Sequence, residues 1–295
     1  MSRWEKKVKL WFQKKNLTDQ IIADFGNEWA RFKNQDGRLT QDLSKQFASY
    51  TAPLPENTIN SNATVADFGA GSGRWSNFMA PLVQSLFVVE PSSKAMEVAK
   101  VKLDAHKNVS YLNKSISDSG IGHNSLDLGI CLGVLHHTVD PLNELKSIHK
   151  SIKPGGYFLG YLYYSFENKP KAYRFIWQLS RILRVLVSHL PTQFKVLTAD
   201  LLAFFIYFPL AKVAQGVAYL GIQNKNFPLH QYADVKYRIM RNDALDRFGT
   251  RLEKRFSMSE IQRLVSNAGF DESTLVFSDH EPFWTFSVRK HSQFS

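Results

Sequence analysis

Three glycines at alternate positions, Gly69, Gly71 and Gly73, follow the short apolar run Val65-Ala66-Asp67-Phe68 and precede Arg74-Trp75. Glycine lets a main chain leave a strand sharply, adopt positive φ where needed and approach a ligand with no Cβ in the way. A turn of this kind, opening a helix, is where a nucleotide cofactor docks. The spacing argues against a dinucleotide fingerprint, because Gly-x-Gly-x-x-Gly puts Arg74 at its last position when counted from Gly69 and Ser76 when counted from Gly71. A second apolar run, Leu86-Phe87-Val88-Val89, ends at Glu90. That carboxylate would stand at the tip of the neighbouring strand, where it can accept both hydroxyls of a ribose.

The elements that must hold these residues alternate in strand and helix periods. Strands are expected near 64–68, 85–90, 108–113, 126–133 and 156–164, with helices between them. Alternation of this kind implies a parallel sheet with helices on both faces and ligands at the carboxyl ends of the strands. After a long interruption the chain resumes with Ser257-Met258-Ser259-Glu260, a capping box that opens a helix to Ala268, with Gly269 as its stop. Two final strands, about 273–278 and 283–289, would finish the sheet with Glu281-Pro282 near their turn.

The series Asp67-x-Gly69-x-Gly71-x-Gly73, Glu90, the run Ser125 to His137 leading into Asp140-Pro141, and Lys153-Pro154-Gly155-Gly156 resembles, in order and interval, the motifs of the class I S-adenosylmethionine-dependent methyltransferases. The resemblance covers about Ala63 to Tyr164 and, with gaps, Ser257 to Arg289. It implies an α/β fold, a doubly wound, mostly parallel seven-stranded sheet with helices on both faces. To this are added a helical N-terminal segment and a helical insertion. The implied cofactor is S-adenosylmethionine, with S-adenosylhomocysteine as product. The implied cofactor-binding residues are Asp67, Gly69, Ala70, Gly71, Gly73, Glu90, Pro91, Ser115, Ile116, Leu132 and Gly133. Ser115-Ile116 falls where many relatives carry Asp-Ala facing the adenine, and Asp118 is an alternative a few residues on. Ala70 stands where a Cys is common, a contact the backbone would supply.

Composition sets the outer bounds. The chain has 295 residues, 44% hydrophobic and 21% charged, as in a folded soluble protein. A single cysteine excludes a disulfide framework and argues for a reducing, cytoplasmic compartment; Cys131 within the fourth strand reads as a core thiol. No N-terminal stretch has the pattern of a signal peptide, and the longest apolar run, Leu201 to Ala211, is too short to span a bilayer. Net charge is +11, with 37 Lys and Arg against 26 Asp and Glu, which favours an anionic partner: nucleic acid, a phosphorylated substrate or a membrane surface.

The expected organisation is 1–52 as a helical N-terminal cap, 53–164 with 253–295 as a Rossmann-like core, and 165–252 as a helical insertion forming the acceptor-side cap. In the cap, the stretch Phe25 to Phe32 brings Phe25, Trp29 and Phe32 near Gly26, suited either to a lid over cofactor or to packing on the core. In the insertion, Lys171 to Leu190 is amphipathic and ends at Pro191. A second helical stretch, Leu197 to Leu220, is apolar on most sides with a kink or break expected at Pro209. It could form a core, an acceptor pocket, a homodimer face or a membrane contact. Near the N-terminus, Trp4, Val8, Trp11 and Phe12 share a helical face among lysines, and the helix Lys171 to Leu190 repeats the combination of bulky apolar surface with arginines, so both read as interfacial segments for peripheral membrane contact.

Methyl transfer to a hydroxyl or amine requires in-line approach and loss of a proton. His137 and His136, directly after the fourth strand, are the candidate bases, since imidazole titrates near neutrality. Asp140, Tyr163, Tyr164, His230 and Asp243 are weaker candidates. No Asn/Asp-Pro-Pro-Tyr follows the fourth strand and no exposed cysteine offers a covalent route, so nucleic acid is an unfavoured acceptor. No metal spacing is present. The segment Arg241 to Glu253 is similar to a linker of small-molecule methyltransferases of bacterial biosynthetic and surface-polysaccharide pathways, which suggests Asp243, Asp246 and Arg247 as acceptor-side or structural residues. The expected function is transfer to oxygen of a small or lipid-linked acceptor. A tRNA or RNA methyltransferase and a non-catalytic cofactor-binding protein stay open as alternatives.

Overall fold

Apolar residues at alternate positions of the central strands feed two cores, one on each face of a single sheet. The computed structural model describes residues 3–31, 40–167, 170–220, 229, 232–233, 237–278 and 283–292. Phe32, His230, Glu281 and Pro282 lie outside the described residues, as do the side chains of Trp4, Val8, Trp11 and Phe12. Two compact units are distinguished, Met1–Ser165 with Lys254–Ser295, and Phe166–Glu253.

The first unit contains α1 (Arg3–Arg31), α2 (Thr40–Thr51), β1 (Thr64–Phe68), α3 (Arg74–Met79), β2 (Ser85–Val89), α4 (Ser93–Lys102), β3 (Val109–Leu112), β4 (Leu126–Leu132), α5 (Pro141–Ser151) and β5 (Ile152–Tyr163). The order used here gives its closing elements the labels α10 (Met258–Ala268), β6 (Phe270–Phe277) and β7 (Phe283–Lys290). The sheet has seven strands in the order β3-β2-β1-β4-β5-β7-β6. Strands β1 to β5 pair in parallel, and β7 runs antiparallel to both β5 and β6. This is the mostly parallel doubly wound architecture expected from the motifs. Val65, Val88, Ile130 and Leu159 pack with Phe47 and Tyr50 of α2, Met79 of α3 and Met96 of α4. On the other face Phe68, Cys131, Phe158 and Leu162 pack with Leu145 and Ile148 of α5 and Ile261 and Val265 of α10. The reversal of direction between β1-β2-β3 and β1-β4-β5 leaves a crevice at the carboxyl ends.

Two details differ from the sequence expectation. No helix joins β3 to β4: the amides of Asp118 and Ser119 turn back onto the carbonyls of Ser115 and Ile116, and Gly120 adopts φ +75°. Strand β5 begins at Ile152 rather than beyond Gly156, because Ile152 pairs with Leu126 and the irregularity at Gly155, φ +81°, is absorbed within the strand. The capping box is formed in full, with Ser257 accepting from the Glu260 amide, and Gly269 ends α10 at φ +100°. The two ends of the insertion meet, since the Ser165 amide donates to Phe256 O at 2.9 Å and the Phe256 amide to Tyr163 O at 2.9 Å.

The second unit is helical among its described residues: α6 (Lys171–Ser188), α7 (Thr192–Leu202), α8 (Phe208–Tyr219) and α9 (Tyr237–Gly249). Arg241 of α9 grips Asp200 of α7 through two hydrogen bonds of 2.8 and 2.6 Å, and Arg184 pairs with Glu253 at 2.8 Å. The expected break at Pro209 takes another form, a π-helical turn over Ala203–Tyr207 that keeps α7 and α8 continuous. Proline removes the amide that would bond one turn back, and a wider turn accommodates it. Helix Gln193–Tyr219 is consequently long and apolar enough to cross a membrane by length and composition, which the shorter run Leu201 to Ala211 was not expected to be.

Candidate active site

Each strand tip contributes one chemical feature to the crevice of the first unit. After β1 the chain turns through Gly69, Gly71 and Gly73 at φ +74°, +55° and +71°. The amides of Gly69 and Ala70 donate to Val89 O at 2.8 and 3.1 Å, which locks the turn against β2. A Cβ on Gly69 would lie 2.6 Å from Val134, and one on Gly73 would lie 3.1 Å from Ala99 and Leu103, so Gly73 serves helix packing. A Cβ on Gly71 would lie 2.8 Å from the Trp29 indole of α1. Gly71 thus lies directly under the N-terminal helix.

Glu90 closes the next corner. Its Oε2 accepts from the Gly71 amide at 2.9 Å and its Oε1 from the Ser92 amide at 2.8 Å. Burial pushes its carboxyl up to about 7 despite those two amides, with nearby Asp67 adding to the rise. Asp67 is itself buried and raised to about 6 by burial, and it accepts from Ser76 Oγ at 2.5 Å, tying the glycine turn to α3.

A cavity of about 390 Å³ lies over these residues, within the range of roughly 300–1,000 Å³ of small-molecule sites. It is lined by Gly69 after β1, Glu90 and Pro91 after β2, Ser115 and Ile116 after β3, and Leu132 and Gly133 at the end of β4. His137, Thr138, Val139 and Asp140 line it between β4 and α5, Glu144 lines it from the first turn of α5, and α1 roofs it with Ile21, Ile22, Phe25 and Trp29. Helix α1 is held there by Lys94 Nζ donating to Asn27 Oδ1 at 2.7 Å and by the Phe25 ring lying 5.0 Å from the His137 ring. Arg74 stacks its guanidinium 5.2 Å from the Trp29 ring.

Of the residues expected from sequence, the structure brings Gly69, Glu90, Pro91, Ser115, Ile116, Leu132, Gly133 and His137 together around this cavity. Asp67, Ala70, Gly71 and Gly73 stand behind it as the frame of the turn. His136 is fully buried outside it, its ring 4.0 Å from that of Tyr163, and neither ring nitrogen has a hydrogen-bond partner among the described residues. Burial, reinforced by His137 and Arg255, holds its pKa well below the usual histidine value, so it is neutral. His136 therefore does not face an acceptor, a correction to its place among the candidate bases. Asp140 lines the cavity and caps α5 by accepting from the Asn143 amide at 3.2 Å. Tyr163 and Tyr164 are buried beneath the site, and Asp243 of the second unit accepts from Tyr232 Oη at 2.8 Å. Asp118, the alternative adenine contact, is exposed and accepts from Ser115 Oγ at 3.0 Å, and it is not among the residues that line the cavity. Cys131 is buried and its thiol is pushed well up by burial, as a core residue requires. Among the described residues no three His, Cys, Asp or Glu side chains gather as metal ligands.

Sequence reasoning missed Glu144. It lines the cavity together with Ser115 and Ile116, its Oε2 is buried without a hydrogen-bond partner among the described residues, and burial lifts its carboxyl to about 6 against the pull of Ser117. At the start of a helix a glutamate reads as a favourable charge for the dipole, so nothing local singled it out.

Comparison with known proteins follows the same geometry. Residues 66–160 match the methyltransferase domain family. The ubiquinone biosynthesis O-methyltransferase of Thiobacillus denitrificans is 30% identical over 95 residues, 32% of this chain and 41% of that protein. That of Pseudomonas paraeruginosa is 30% identical over 133 residues, 42% of this chain and 55% of the relative. The chain thus spans about half the length of the curated relatives it matches. Among solved structures, the 1,6-didemethyltoxoflavin-N1-methyltransferase of Burkholderia thailandensis, with bound S-adenosylhomocysteine, shares the fold at a TM-score of 0.53 and 14% identity, covering 95% of this chain and 91% of that one. An O-methyltransferase family protein from the same organism gives 0.51 and 13%, covering 89% and 59%. The family match shows a methyltransferase domain over residues 66–160, and the glycine turn, the strand-tip glutamate and the sheet order give the chain the fold of the class I S-adenosylmethionine-dependent methyltransferases.

Proposed function

We propose that the protein transfers a methyl group from S-adenosylmethionine to a hydroxyl of a small or lipid-linked acceptor in a biosynthetic pathway. The observation that carries this reading is the joining, in one roofed cavity, of a glycine turn at positive φ, the Glu90 carboxylate and the His137 imidazole. The residues present fit the cofactor: the turn leaves no side chain in its path, and Glu90 keeps lone pairs for a ribose beyond those its two amides use. When bound, S-adenosylmethionine supplies an electrophilic methyl group on a sulfonium. Gly69, Leu132 and Gly133 would line its amino-acid end, Pro91 and Ile116 would flank the base with Ser115 at its edge, and the α1 roof would exclude water. His137 would take the acceptor's proton. Asp67, Ala70, Gly71 and Gly73 would hold the turn in shape.

Glu90→Ala should weaken S-adenosylhomocysteine binding by about ten- to a hundredfold, the loss of a charge-assisted contact of about 1.5–3 kcal/mol. Because the Glu90 carboxyl titrates at about 7, it is largely protonated at lower pH and ionised above. The ionised form is the stronger acceptor of ribose hydroxyls. Calorimetry should therefore find affinity rising between pH 6 and 8 in the wild type and flat in Glu90→Gln; a flat wild-type profile contradicts the ribose assignment.

Glu144 gives the base end a reader in place of the missing Asp. Its unpartnered oxygen suits the exocyclic amine of adenine. Glu144→Gln should bind S-adenosylhomocysteine about tenfold more weakly and lose the wild type's preference over S-inosylhomocysteine, whose carbonyl replaces that amine. Equal preference in both proteins would remove Glu144 from the base site.

The names of the relatives favour oxygen as the accepting atom and a quinone precursor as the acceptor; a lipid-linked sugar of surface-polysaccharide assembly belongs to the same chemical class. Either is met at the inner face of a membrane, so the proposed location is cytoplasmic with peripheral membrane contact. The charge of +11 favours RNA as a second reading. Incubation of the protein with methyl-labelled cofactor and cell extract decides between them: label should enter an organic-extractable product, and label in RNA would replace the proposal with the second reading.

A further inference from the structure

In the second unit, α7, the turn Ala203–Tyr207 and α8 form one helical rod from Thr192 to Tyr219, and its packing is inverted. The buried positions recur at helical spacing and most are small, Ala199, Ala203, Ala211 and Ala214, with Lys195 and Tyr207 on the same side. The bulky apolar side chains face out, including Leu197, Leu201, Phe204, Phe205 and Val213, with Phe205 68% exposed. A helix stabilised by water exclusion buries its large residues and shows its small or polar ones. Helix α6 adds exposed Phe175 and Leu186 beside exposed Arg174.

Two observations select the occupant of this face and its geometry. Between residues 166 and 253 the chain has 13 Lys and Arg against 6 Asp and Glu. A second copy would bring like charge to like charge, whereas an anionic bilayer complements it. The rod is long enough to cross a bilayer, yet its inner side packs on α9, and Asp200 on it is paired with Arg241. Crossing would carry that ion pair and the polar helix behind it into hydrocarbon.

We propose that the α7–α8 rod docks the protein on an anionic membrane by lying in the plane of the interface, its bulky face among the acyl chains, rather than by spanning the bilayer. The proposal deepens the reading of a lipid-borne acceptor and rests on that reading for its purpose, though its test does not. The full chain should sediment with phosphatidylcholine vesicles containing phosphatidylglycerol, less so as salt is raised, and weakly with phosphatidylcholine alone. Phe205→Glu should lower vesicle affinity at least tenfold while S-adenosylhomocysteine binding and circular dichroism stay as in the wild type. An environment-sensitive dye on Phe204→Cys should be quenched by nitroxides near the headgroups. Absence of sedimentation at low ionic strength, unchanged vesicle binding by Phe205→Glu, or quenching only by nitroxides at the bilayer centre would each overturn the proposal. A wild-type dimer that Phe205→Glu dissociates, with no vesicle binding, would assign the face to a second copy instead. If vesicles bind but label never enters an organic-extractable product, the acceptor reading fails and the docking stands.

Discussion

Replacing His137 by alanine is expected to lower turnover by about 10²–10⁴ while leaving the affinity for S-adenosylhomocysteine nearly unchanged. The imidazole lines the cavity a few residues past Gly133, and its neighbour His136 is buried, neutral and unable to substitute. Because the His137 ring also touches Phe25 of the roof, His137→Gln is the second variant to examine; it retains bulk and a hydrogen-bonding end but takes up no proton. Both variants should be slow if the ring accepts a proton. Restoration of turnover by glutamine, or a loss of less than tenfold in alanine, would make His137 a support for the roof.

Gly71→Val should abolish measurable cofactor binding, a loss of at least about a hundredfold, through two effects that act together. A β-branched residue at φ +55° is strained, at a cost on the order of 1–3 kcal/mol. Its Cβ would also enter the space of the Trp29 indole and displace the α1 roof. Trp29→Ala made in the same chain should recover part of the affinity, since it removes the clash and leaves the strain. Calorimetry with circular dichroism separates loss of binding from loss of fold. Normal affinity in the folded single variant would mean that the cofactor does not approach this turn.

Local chemistry made part of this legible in the sequence. Glycines at alternate positions, a carboxylate at a strand end and the Ser257/Glu260 capping box act over a few residues, and each stands where its pattern indicated. Non-local chemistry was not legible. Ile152 joins β5 because Leu126, far away in the chain, offers it a partner, while Pro154-Gly155-Gly156 alone reads as a turn. The segment between β3 and β4 reads as room for a helix, but its short backbone turns use up the amides of Asp118 and Ser119 first. Phe25 and Trp29 were visible as aromatic candidates for a lid, whereas Ile21 and Ile22 on the same roof are indistinguishable from packing residues until the helix is seen over the cavity. The inversion of the α7–α8 rod was hidden for a related reason: a stretch apolar on most sides does not say which side is covered.

Titration of the 295-residue chain with S-adenosylhomocysteine by calorimetry tests the central claim most directly. The account predicts saturable binding of one molecule per chain, with affinity in the range of roughly 1 µM to 1 mM, competed by S-adenosylmethionine and weakened by Glu90→Ala. A folded protein that shows no saturable binding up to about 1 mM, or binds equally well without the Glu90 carboxylate, would contradict it.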